Sequence, residues 1–586
     1  MPPPKQKGMD RRVLIICCLL IFAALAAGTA ATAQTRPDAG ILLQEQRQPG
    51  AALPDRLPAD REKEAVAPPM IDTGIKVLVK GFRFTGNEGI ATEAELEELV
   101  KDSTGKELGF ADLQAIASLV TAYLREKRGY LLARAYLPKQ DITEGIVTIA
   151  VISGRIDGKV RINMEEPARI RSSLLTGIAD RAVPPGGPAR MEQIERAVLL
   201  MNDLPGIAAR ASLEPGATPG TTRIVINADE GPVFHGLLSG DTFGDRYTGI
   251  YRGTGHVSAY DPFGLGDQMT LSYTYAEHLN QWRAAYNLPI GATGLTLNAL
   301  YTGLTYELGK DLADLKAKGW AETLSAGISY PLIRTRNKSI WAGAGAEYMM
   351  LNDEANGEKT RDRSLSTGTL SVSGNFFDTF GGGGLTSASV ILTGGNVDLS
   401  GLTANKENDD AGPRTQGAFL RATYSLARLQ RVARKVALFG SLRGQFASYN
   451  LDSSQKFILG GPTGIRAYPV GEAPGDEGHT LTLEARYDMP FMPSWAATQL
   501  IGFVDAGWVK LHRSPWPGSV TSASGKNEYL LSGAGVGINM GKPGLYSVRA
   551  SYAHKVGPNE GRSTSGNDAD NLSDDGRFWL QLVIWL

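Results

Sequence analysis

An arginine and a tyrosine stand two positions apart in a long loop that is rich in glycine and proline. Residues 460–478 read GGPTGIRAYPVGEAPGDEG, and the segments on both sides alternate like β-strands. Loops of this length are uncommon unless they are functional or disordered. The guanidinium of Arg466 is suited to pairing with a carboxylate, and the ring of Tyr468 is suited to packing on an apolar wall. This loop is therefore the first candidate for a functional site.

Patterns typical of catalysis and metal binding are weak in this sequence. We find no G-x-S-x-G, H-E-x-x-H or P-loop pattern. The six histidines stand singly, at His235, His256, His278, His479, His512 and His554. We therefore predict that the protein is not an enzyme and uses no cofactor or metal ion. A hydrolase with a lone Ser/His site in a barrel wall stays open as an alternative.

The N-terminus has the three parts of a secretory signal peptide. A basic stretch precedes an apolar run at residues 13–27, and a small-residue cleavage pattern, A-T-A, follows at residues 31–33. We predict removal of residues 1–33 and a mature chain that starts at Gln34; an uncleaved membrane anchor is the alternative. Both cysteines, Cys17 and Cys18, lie in the apolar run, so the mature chain would contain no disulfide and no thiol site.

The rest of the sequence argues against transmembrane helices and against nucleic acid. No later run of 18 apolar residues occurs, so no spanning helix is expected. An exported chain of this kind is either soluble or a transmembrane β-barrel, because only helices and closed barrels satisfy their backbone groups in lipid. The 60 basic and 61 acidic residues nearly balance, whereas a nucleic-acid-binding protein would favour a basic excess.

A short helix is predicted near the start of the mature chain. Residues 38–48 read DAGILLQEQRQ, and a Pro-Gly pair ends the helix. We assign residues 34–48 to this helix and residues 49–74 to a polar, proline-rich linker. At about 3.3 Å per residue, roughly 20 residues span about 65 Å, more than the ~40–45 Å of a bilayer. The linker is long enough to thread a barrel; a disordered N-terminus is the alternative.

Two α/β units of the same order, β-α-α-β-β, follow the linker. We place them at residues 75–154 and 155–231. In the first unit, residues 75–87 alternate as one strand, and Thr92 with Glu95 predicts a capping box at the start of a helix. Two such units in tandem form an internal repeat, which organises this part of the chain.

Residues 232–586 predict a transmembrane barrel. They contain about sixteen strand candidates joined by alternately short and long connections, which is typical of outer-membrane barrels. Residues 291–294 are one short turn, and the long connections include residues 351–362. In LTLEARYDM, residues 481–489, a mainly apolar face alternates with a charged face that would line a polar lumen. A β-sandwich would bury that charged face less readily.

Taken in this order, the segments resemble a two-partner secretion transporter of the TpsB type, from the haemolysin secretion/activation and filamentous haemagglutinin transporter family. The match covers essentially the whole mature chain. GYLLARAYLPKQDITEGIVTIAVISG, residues 129–154, resembles the end of a first POTRA domain, and MNDLPGIAARASLEPGATPGTTRIVI, residues 201–226, resembles the end of a second. The resemblance implies an N-terminal plug helix, two α/β POTRA domains at residues 75–154 and 155–231, and a barrel of about sixteen antiparallel strands at residues 232–586.

The resemblance also implies a role for the loop at residues 460–478. This loop would be the sixth extracellular loop, between candidate strands eleven and twelve, and it would fold back into the lumen. The family's VRGY-like motif matches Ile465, Arg466, Ala467 and Tyr468, with alanine in place of glycine. The family's F-x-D-x-G motif matches Phe503, Asp505 and Gly507. Spacing alone favours a solvated loop arginine and an unrelated lumen acid; the paired motifs reverse this and favour contact between Arg466 and Asp505.

The function that the resemblance implies is transport across the outer membrane. One unfolded, TpsA-like exoprotein would pass from the periplasm to the cell surface without ATP, with periplasmic POTRA domains as the capture site and the barrel as the conduit. The expected partners are this exoprotein, outer-membrane lipid and, during biogenesis, the barrel-assembly machinery. A protein-insertion factor of the same superfamily is the main alternative. A general porin is a weaker one, because it would not need POTRA domains.

Overall fold

The computed structural model describes residues 37–47, 53–56, 76–142, 144–165, 167–218 and 221–586. The predicted signal peptide, with Cys17 and Cys18, and most of the predicted linker lie outside these residues. Within the described ranges, no helix is both long enough and apolar enough to cross a membrane. The first element is helix α1 (Ala39–Gln46), for which Asp38 is the N-cap.

The first α/β unit has a three-stranded sheet and a separate two-stranded sheet. Its elements are β1 (Lys76–Leu78), β2 (Gly81–Thr85), α2 (Glu93–Val100), β3 (Glu107–Gly109), α3 (Phe110–Ala122), β4 (Arg134–Tyr136) and β5 (Ile146–Ile152). Strand β5 lies between β2, which is parallel to it, and β4, which is antiparallel. The predicted capping box is confirmed: Glu95 N–H donates to Thr92 Oγ1 at 3.3 Å, and Thr92 N–H donates to Glu95 Oε2 at 2.9 Å.

The prediction of one continuous strand over residues 75–87 is wrong. Strand β1 pairs with β3, whereas β2 pairs with β5, so the segment belongs to two sheets. The change occurs at two residues. Val79 N–H donates to the Lys106 carbonyl, and Lys80 N–H donates to the Gly145 carbonyl. The backbone therefore passes from one set of partners to the other, and the buried positions change phase there, from Val79 to Phe82 and Phe84.

The second α/β unit has one mixed sheet covered by two helices. Its elements are β6 (Arg155–Ile156), β7 (Arg161–Met164), α4 (Ser172–Ala182), α5 (Met191–Asn202), β8 (Ile207–Pro215) and β9 (Thr221–Glu230). Strand β9 pairs in parallel with β6 and β7 on one side and antiparallel with β8 on the other. Strand β8 is therefore an edge of this sheet, and most of its residues are exposed.

Sixteen antiparallel strands form a closed barrel, which confirms the predicted fold class. In chain order the elements are β10 (Phe234–Asp241), β11 (Arg252–Tyr260), β12 (Gln268–Ala276), β13 (Leu279–Ile290), β14 (Leu295–Glu307), β15 (Lys318–Arg334), β16 (Lys338–Ala355), β17 (Glu358–Asp378), β18 (Gly384–Asp398), α6 (Thr403–Ala411), β19 (Gly417–Ala433), β20 (Val436–Ala447), the short loop strands β21 (Phe457–Ile458) and β22 (Pro474–Gly475), β23 (Glu477–Asp488), β24 (Ala497–Lys510), β25 (Glu528–Lys542), β26 (Tyr546–Lys555) and β27 (Gly576–Trp585). Pairing of β10 with β27 closes the ring.

The strands have the predicted apolar outer face and polar inner face. On β23, Leu481 and Leu483 are exposed on the outside, while Glu484 and Arg486 are buried on the inside. On β24, Val504 is exposed outside and Asp505 is buried inside. A two-residue period therefore places every second side chain in the lumen.

The expectation of a long connection over residues 351–362 is wrong. Strands β16 and β17 continue through this region and meet at a two-residue turn, Asn356-Gly357. Both turn residues have positive φ, 53° and 84°. Asn-Gly is the favoured pair for a type I′ hairpin, whose twist matches the flanking strands. The polar side chains of this hairpin have the composition of a loop, although the backbone pairs as a strand.

Candidate functional site in the barrel lumen

The loop between β20 and β23, hereafter loop six, lies inside the barrel. The side chains of Ile465, Ala467 and Tyr468 in this loop are completely buried. They pack in one apolar cluster with residues of β24 and β25, including Phe503 and Leu531. The candidate motif at residues 465–468 is therefore held against the inner wall.

Arg466 and Asp505 form a bidentate ion pair. Arg466 Nε donates to Asp505 Oδ2 at 2.8 Å, and Nη2 donates to Oδ1 at 2.9 Å. The backbone N–H of Arg466 also donates to Oδ2, at 3.2 Å, and Thr482 Oγ1 donates to Oδ1, at 3.0 Å. The Asp505 side chain is 1% exposed, so its charge depends on these donors.

The guanidinium of Arg466 has two further neighbours on the wall. Nη1 donates to Glu484 Oε1 at 2.8 Å, and Cζ lies 3.4 Å from the centre of the Phe503 ring. Arg486 Nε donates to the other Glu484 oxygen at 2.8 Å. Two cations and two carboxylates thus form a neutral network, with an aromatic face beneath the loop cation.

Strand register brings the wall groups of this network together. Thr482 lies opposite Asp505, and Glu484 lies opposite Phe503, in the antiparallel pair β23–β24. The last strand, β27, adds a contact from another direction, because Trp579 Nε1 donates to the Arg466 carbonyl at 2.7 Å. Loop six is therefore attached to the wall through both its side chains and its backbone.

Two glycines provide the space for loop six. A Cβ at Gly507 would lie 2.7 Å from Leu459 Cδ1 and 2.8 Å from Ile465 Cδ1. A Cβ at Gly533 would lie 2.5 Å from the Cβ of Ala467. Ala467 does not have a positive φ, and its methyl group occupies the space above Gly533. This accounts for an alanine at the position where the family motif has glycine.

The structure brings all seven predicted site residues to one side of the lumen. Sequence reasoning did not identify Glu484, Arg486 and Trp579 as members of the site. The alternation of residues 481–489 had placed the two charged residues on the inner face, and this was the available signal. Their pairing with a loop arginine requires the fold of loop six, which alternation does not describe.

A second polar cluster, the N-cap cluster, holds the start of α1 in the lumen. Asp38 accepts from Ser453 Oγ of loop six at 2.8 and 2.9 Å, and it pairs with Arg361. Ala39 N–H donates to Asp353 Oδ1 at 2.8 Å. A Cβ at Gly40 would lie 2.4 Å from Ser453 Oγ, so the helix approaches loop six closely at this position.

Arg363 stands at the centre of the N-cap cluster. Its Nη1 lies 2.7 Å from Asp452 Oδ2, and its Nη2 lies 2.8 Å from Asp353 Oδ2 and 3.5 Å from Asp38 Oδ2. The Arg363 side chain is 4% exposed. Because a single buried cation serves three carboxylates, one of which belongs to α1, removal of the helix changes the charge balance of the wall.

Near the C-terminal end of α1, the carboxylate of Glu45 lacks hydrogen-bond partners among the described residues. Arg47 pairs with Glu347 at 2.8 Å, and Gln46 Oε1 accepts from Arg252 Nη1 at 2.8 Å. Glu45 is half-buried, but both of its carboxylate oxygens are buried. Burial raises the pKa of Glu45 well above its usual range, and the nearby Asp245 carboxylate raises it further while Arg252 opposes the change.

The fold and the contents of the lumen together define the class of protein. A closed sixteen-stranded barrel preceded by two small α/β units, with an inward-folded loop and a helix inside its lumen, is an outer-membrane transporter of the two-partner secretion type, with POTRA domains in the periplasm. The chain belongs to the haemolysin secretion/activation protein ShlB/FhaC/HecB family, whose model matches residues 220–540. A ShlB-type POTRA domain matches residues 77–154.

Similar proteins include transporters from several bacteria. The heme/hemopexin transporter protein HuxB of Haemophilus influenzae is 26% identical over 560 residues, which cover 94% of each chain. The outer membrane transporter CdiB of Escherichia coli is 23% identical over 437 residues, 72% of this chain and 71% of CdiB.

Two solved structures have the same fold. CdiB from Escherichia coli matches with a TM-score of 0.67 and 20% identity, over 88% of this chain and 91% of CdiB. CdiB from Acinetobacter baumannii matches with a TM-score of 0.60 and 16% identity, over 98% of this chain and 97% of CdiB.

Proposed function

We propose that this transporter moves one partner exoprotein, in an unfolded state and without ATP, from the periplasm to the cell surface. The main support for this proposal is helix α1, which fills part of the lumen and is not part of the barrel wall. A sixteen-stranded barrel is wide enough to conduct a chain and therefore needs a removable closure. Helix α1 can provide this closure, because it is joined to the rest of the protein by the segment between residues 47 and 76.

Capture of the substrate is the first step of the proposal. The β8 edge is nine residues long, and its outer side has no partner strand among the described residues. An extended substrate segment can add to such an edge through main-chain hydrogen bonds, which give affinity with little demand on sequence. The exposed side chain of Leu213 offers an apolar contact on the same strand.

Release of α1 is the second step. The helix is held by side-chain contacts at both ends and by a small apolar face, which includes Leu42 and Leu43. Both ends also contact loop six: Asp38 binds Ser453, and a Cβ at Gly471 would lie 2.8 Å from Glu45 Oε1. A substrate that displaces α1 therefore removes contacts from loop six.

The ion pair between Arg466 and Asp505 restricts the movement of loop six after α1 leaves the lumen. Its bidentate geometry and deep burial keep residues 465–468 on the wall while the part of the loop that touches α1 adjusts. In this proposal the pair holds the lumen open for the substrate. Folding of the exoprotein outside the cell makes the movement one-directional.

The proposal can be tested with proteoliposomes that contain the purified full chain. The denatured N-terminal region of the exoprotein encoded beside the transporter is added in buffer without nucleotide. We expect a protease-protected fraction that appears without ATP and is absent from liposomes lacking the transporter. A requirement for ATP, or transport of an unrelated denatured protein at the same rate, would contradict the proposal.

A further inference from the structure

A cavity of about 890 Å³ lies in the lumen beside the C-terminal end of α1. Its lining contains nine arginine or lysine side chains and four aspartate or glutamate side chains. The cavity is therefore strongly cationic, although the whole chain is almost neutral. A local excess of one charge in a narrow, walled space produces a strong field for ions of the opposite sign.

Six of the nine cations have a carboxylate partner. Examples are Arg252 with Asp241 at 2.9 Å and Lys456 with Asp476 at 2.7 Å. Arg283 of β13, Arg421 of β19 and Arg443 of β20 make no ion pair within the described part of the chain. The positive field of the cavity thus comes mainly from these three side chains.

The three unpaired arginines line the same cavity. Arg421 and Arg443 stand on neighbouring strands, and Arg283 stands on a different part of the wall. Arg47 of the α1 end interacts electrostatically with both Arg283 and Arg421, so it lies between like charges. Guanidinium groups that repel one another favour a shared anion.

Their hydrogen bonds leave donors available for such an anion. Arg421 Nη1 donates to Gln445 Oε1 at 3.1 Å and to the Gln455 carbonyl at 3.3 Å, while its buried Nε has no acceptor in the described chain. Arg443 uses Nη2 for the Thr463 carbonyl. Neutral acceptors take these hydrogen bonds, while Glu347 and Asp505 act on Arg421 and Arg443 only from beyond ion-pair distance.

We propose that Arg283, Arg421 and Arg443 form an anion-binding site in the lumen, which takes a multivalent anion through its negatively charged oxygens and makes the open pore selective for anions. Guanidinium forks match phosphate and carboxylate oxygens in geometry. The site therefore accepts small phosphate anions, and it also accepts clustered carboxylates on a polypeptide. It goes beyond the proposed transport function and does not depend on the identity of the exoprotein.

Titration calorimetry on the full chain in detergent tests the site. Sodium tripolyphosphate and a hexaglutamate peptide are titrated separately into native protein and into the Arg283→Gln/Arg421→Gln/Arg443→Gln variant. The matched control is Lys359→Gln/Lys406→Gln/Lys526→Gln, which removes three exposed charges from the end of β17, from α6 and from the loop between β24 and β25, and keeps binding unchanged. We expect binding to weaken at least about tenfold in the arginine variant, since each solvated ion pair contributes about two- to fivefold.

Arg421→Gln alone, with an expected loss of about two- to fivefold, provides the test if the triple variant does not fold. Binding of tripolyphosphate alone identifies small anions as the ligands, and binding of both probes extends the site to carboxylate clusters. Failure of both probes to bind native protein, or equal binding by the arginine variants, would overturn the proposal.

Ion selectivity provides a second readout. In planar bilayers with a KCl gradient, the reversal potential of native channels should have the sign of anion selectivity. It should move toward cation selectivity in the arginine variant and stay unchanged in the lysine control. A cation-selective native pore would refute the inference, whatever the result of the transport assay.

Discussion

The ion pair between Arg466 and Asp505 makes an asymmetric prediction. If Arg466 is replaced by alanine, the only side-chain donor that the described residues leave to Asp505 is the hydroxyl of Thr482. If Asp505 is replaced by alanine, Arg466 keeps Glu484 at 2.8 Å and the Phe503 ring. The arginine variant leaves the buried Asp505 carboxylate without an ion pair among the described residues, whereas in the aspartate variant Arg466 keeps one with Glu484. We therefore expect Arg466→Ala to be the more damaging of the two.

The burial of the two side chains sets the expected loss in the free energy of unfolding. The Arg466 and Asp505 side chains are 13% and 1% exposed, so the pair belongs to the buried class. Removing one member of a buried pair costs about 3–5 kcal/mol, and we assign this range to Arg466→Ala. For Asp505→Ala we expect about 1–3 kcal/mol, the loss of charged hydrogen bonds. The double variant should be little worse than Arg466→Ala, because both substitutions remove the same contact.

Urea unfolding of the four variants in lipid vesicles measures these free energies, and secretion normalised to barrel abundance gives the functional effect. Arg428→Ala is the matched control, because Arg428 also forms a bidentate pair, with Asp378 at 2.8 and 3.0 Å, but its side chain is 33% exposed. Arg428→Ala should therefore lose clearly less stability than Arg466→Ala. Additive losses for the first pair, or an Asp505→Ala effect larger than that of Arg466→Ala, would refute the reasoning.

Three further predictions concern the helix and the α/β units. Deleting residues 38–48 should raise single-channel conductance in planar bilayers while the barrel stays folded; unchanged conductance and open probability would remove α1 from the closing role. Raising the pH above the usual carboxylate range should open the channel more often. With α1 in the lumen, the carboxyl group of Glu45 has a raised pKa and faces Asp245, whose pKa burial raises to about 7. Loss of these protons therefore destabilises the closed state. Glu45→Gln should remove most of this dependence, and a channel whose closed fraction rises with pH would contradict the sign. A fragment of residues 75–230 should bind the unfolded N-terminal region of the exoprotein in calorimetry, because an extended segment can add to the β8 edge through main-chain hydrogen bonds; binding to the folded exoprotein alone would exclude strand addition.

Local patterns were sufficient for much of the barrel. The alternation on β23 and β24 placed Glu484 and Asp505 on the inner face, because a strand has a side-chain period of two. The same rule, applied to residues 75–87 as one strand, failed at Val79 and Lys80, where the backbone changes partners and the buried face moves from odd to even positions. The prediction of a long connection over residues 351–362 was wrong for a different reason. The sequence contains the Asn-Gly pair typical of a tight hairpin turn, but the polar composition around it resembles that of a loop.

The N-cap cluster had no sequence signal at all. Asp38 is 415 residues from Ser453, and Ala39 is 314 residues from Asp353, so no local pattern relates them. Arg363 is bound to Asp353 of the neighbouring strand, but also to Asp452 of loop six and Asp38 before α1, which join it only in the folded barrel.

The sequence by itself determined the exported, barrel-forming character of the chain, the faces of most strands and the motifs of loop six. These properties depend on composition and on short-range periodicity, which are local. The tertiary structure alone decided which charges meet: Arg466 with both Asp505 and Glu484, Asp38 with Arg363, and the three unpaired arginines of the cavity. Ion pairing acts over a few ångströms in space, and strand register together with loop folding sets those distances.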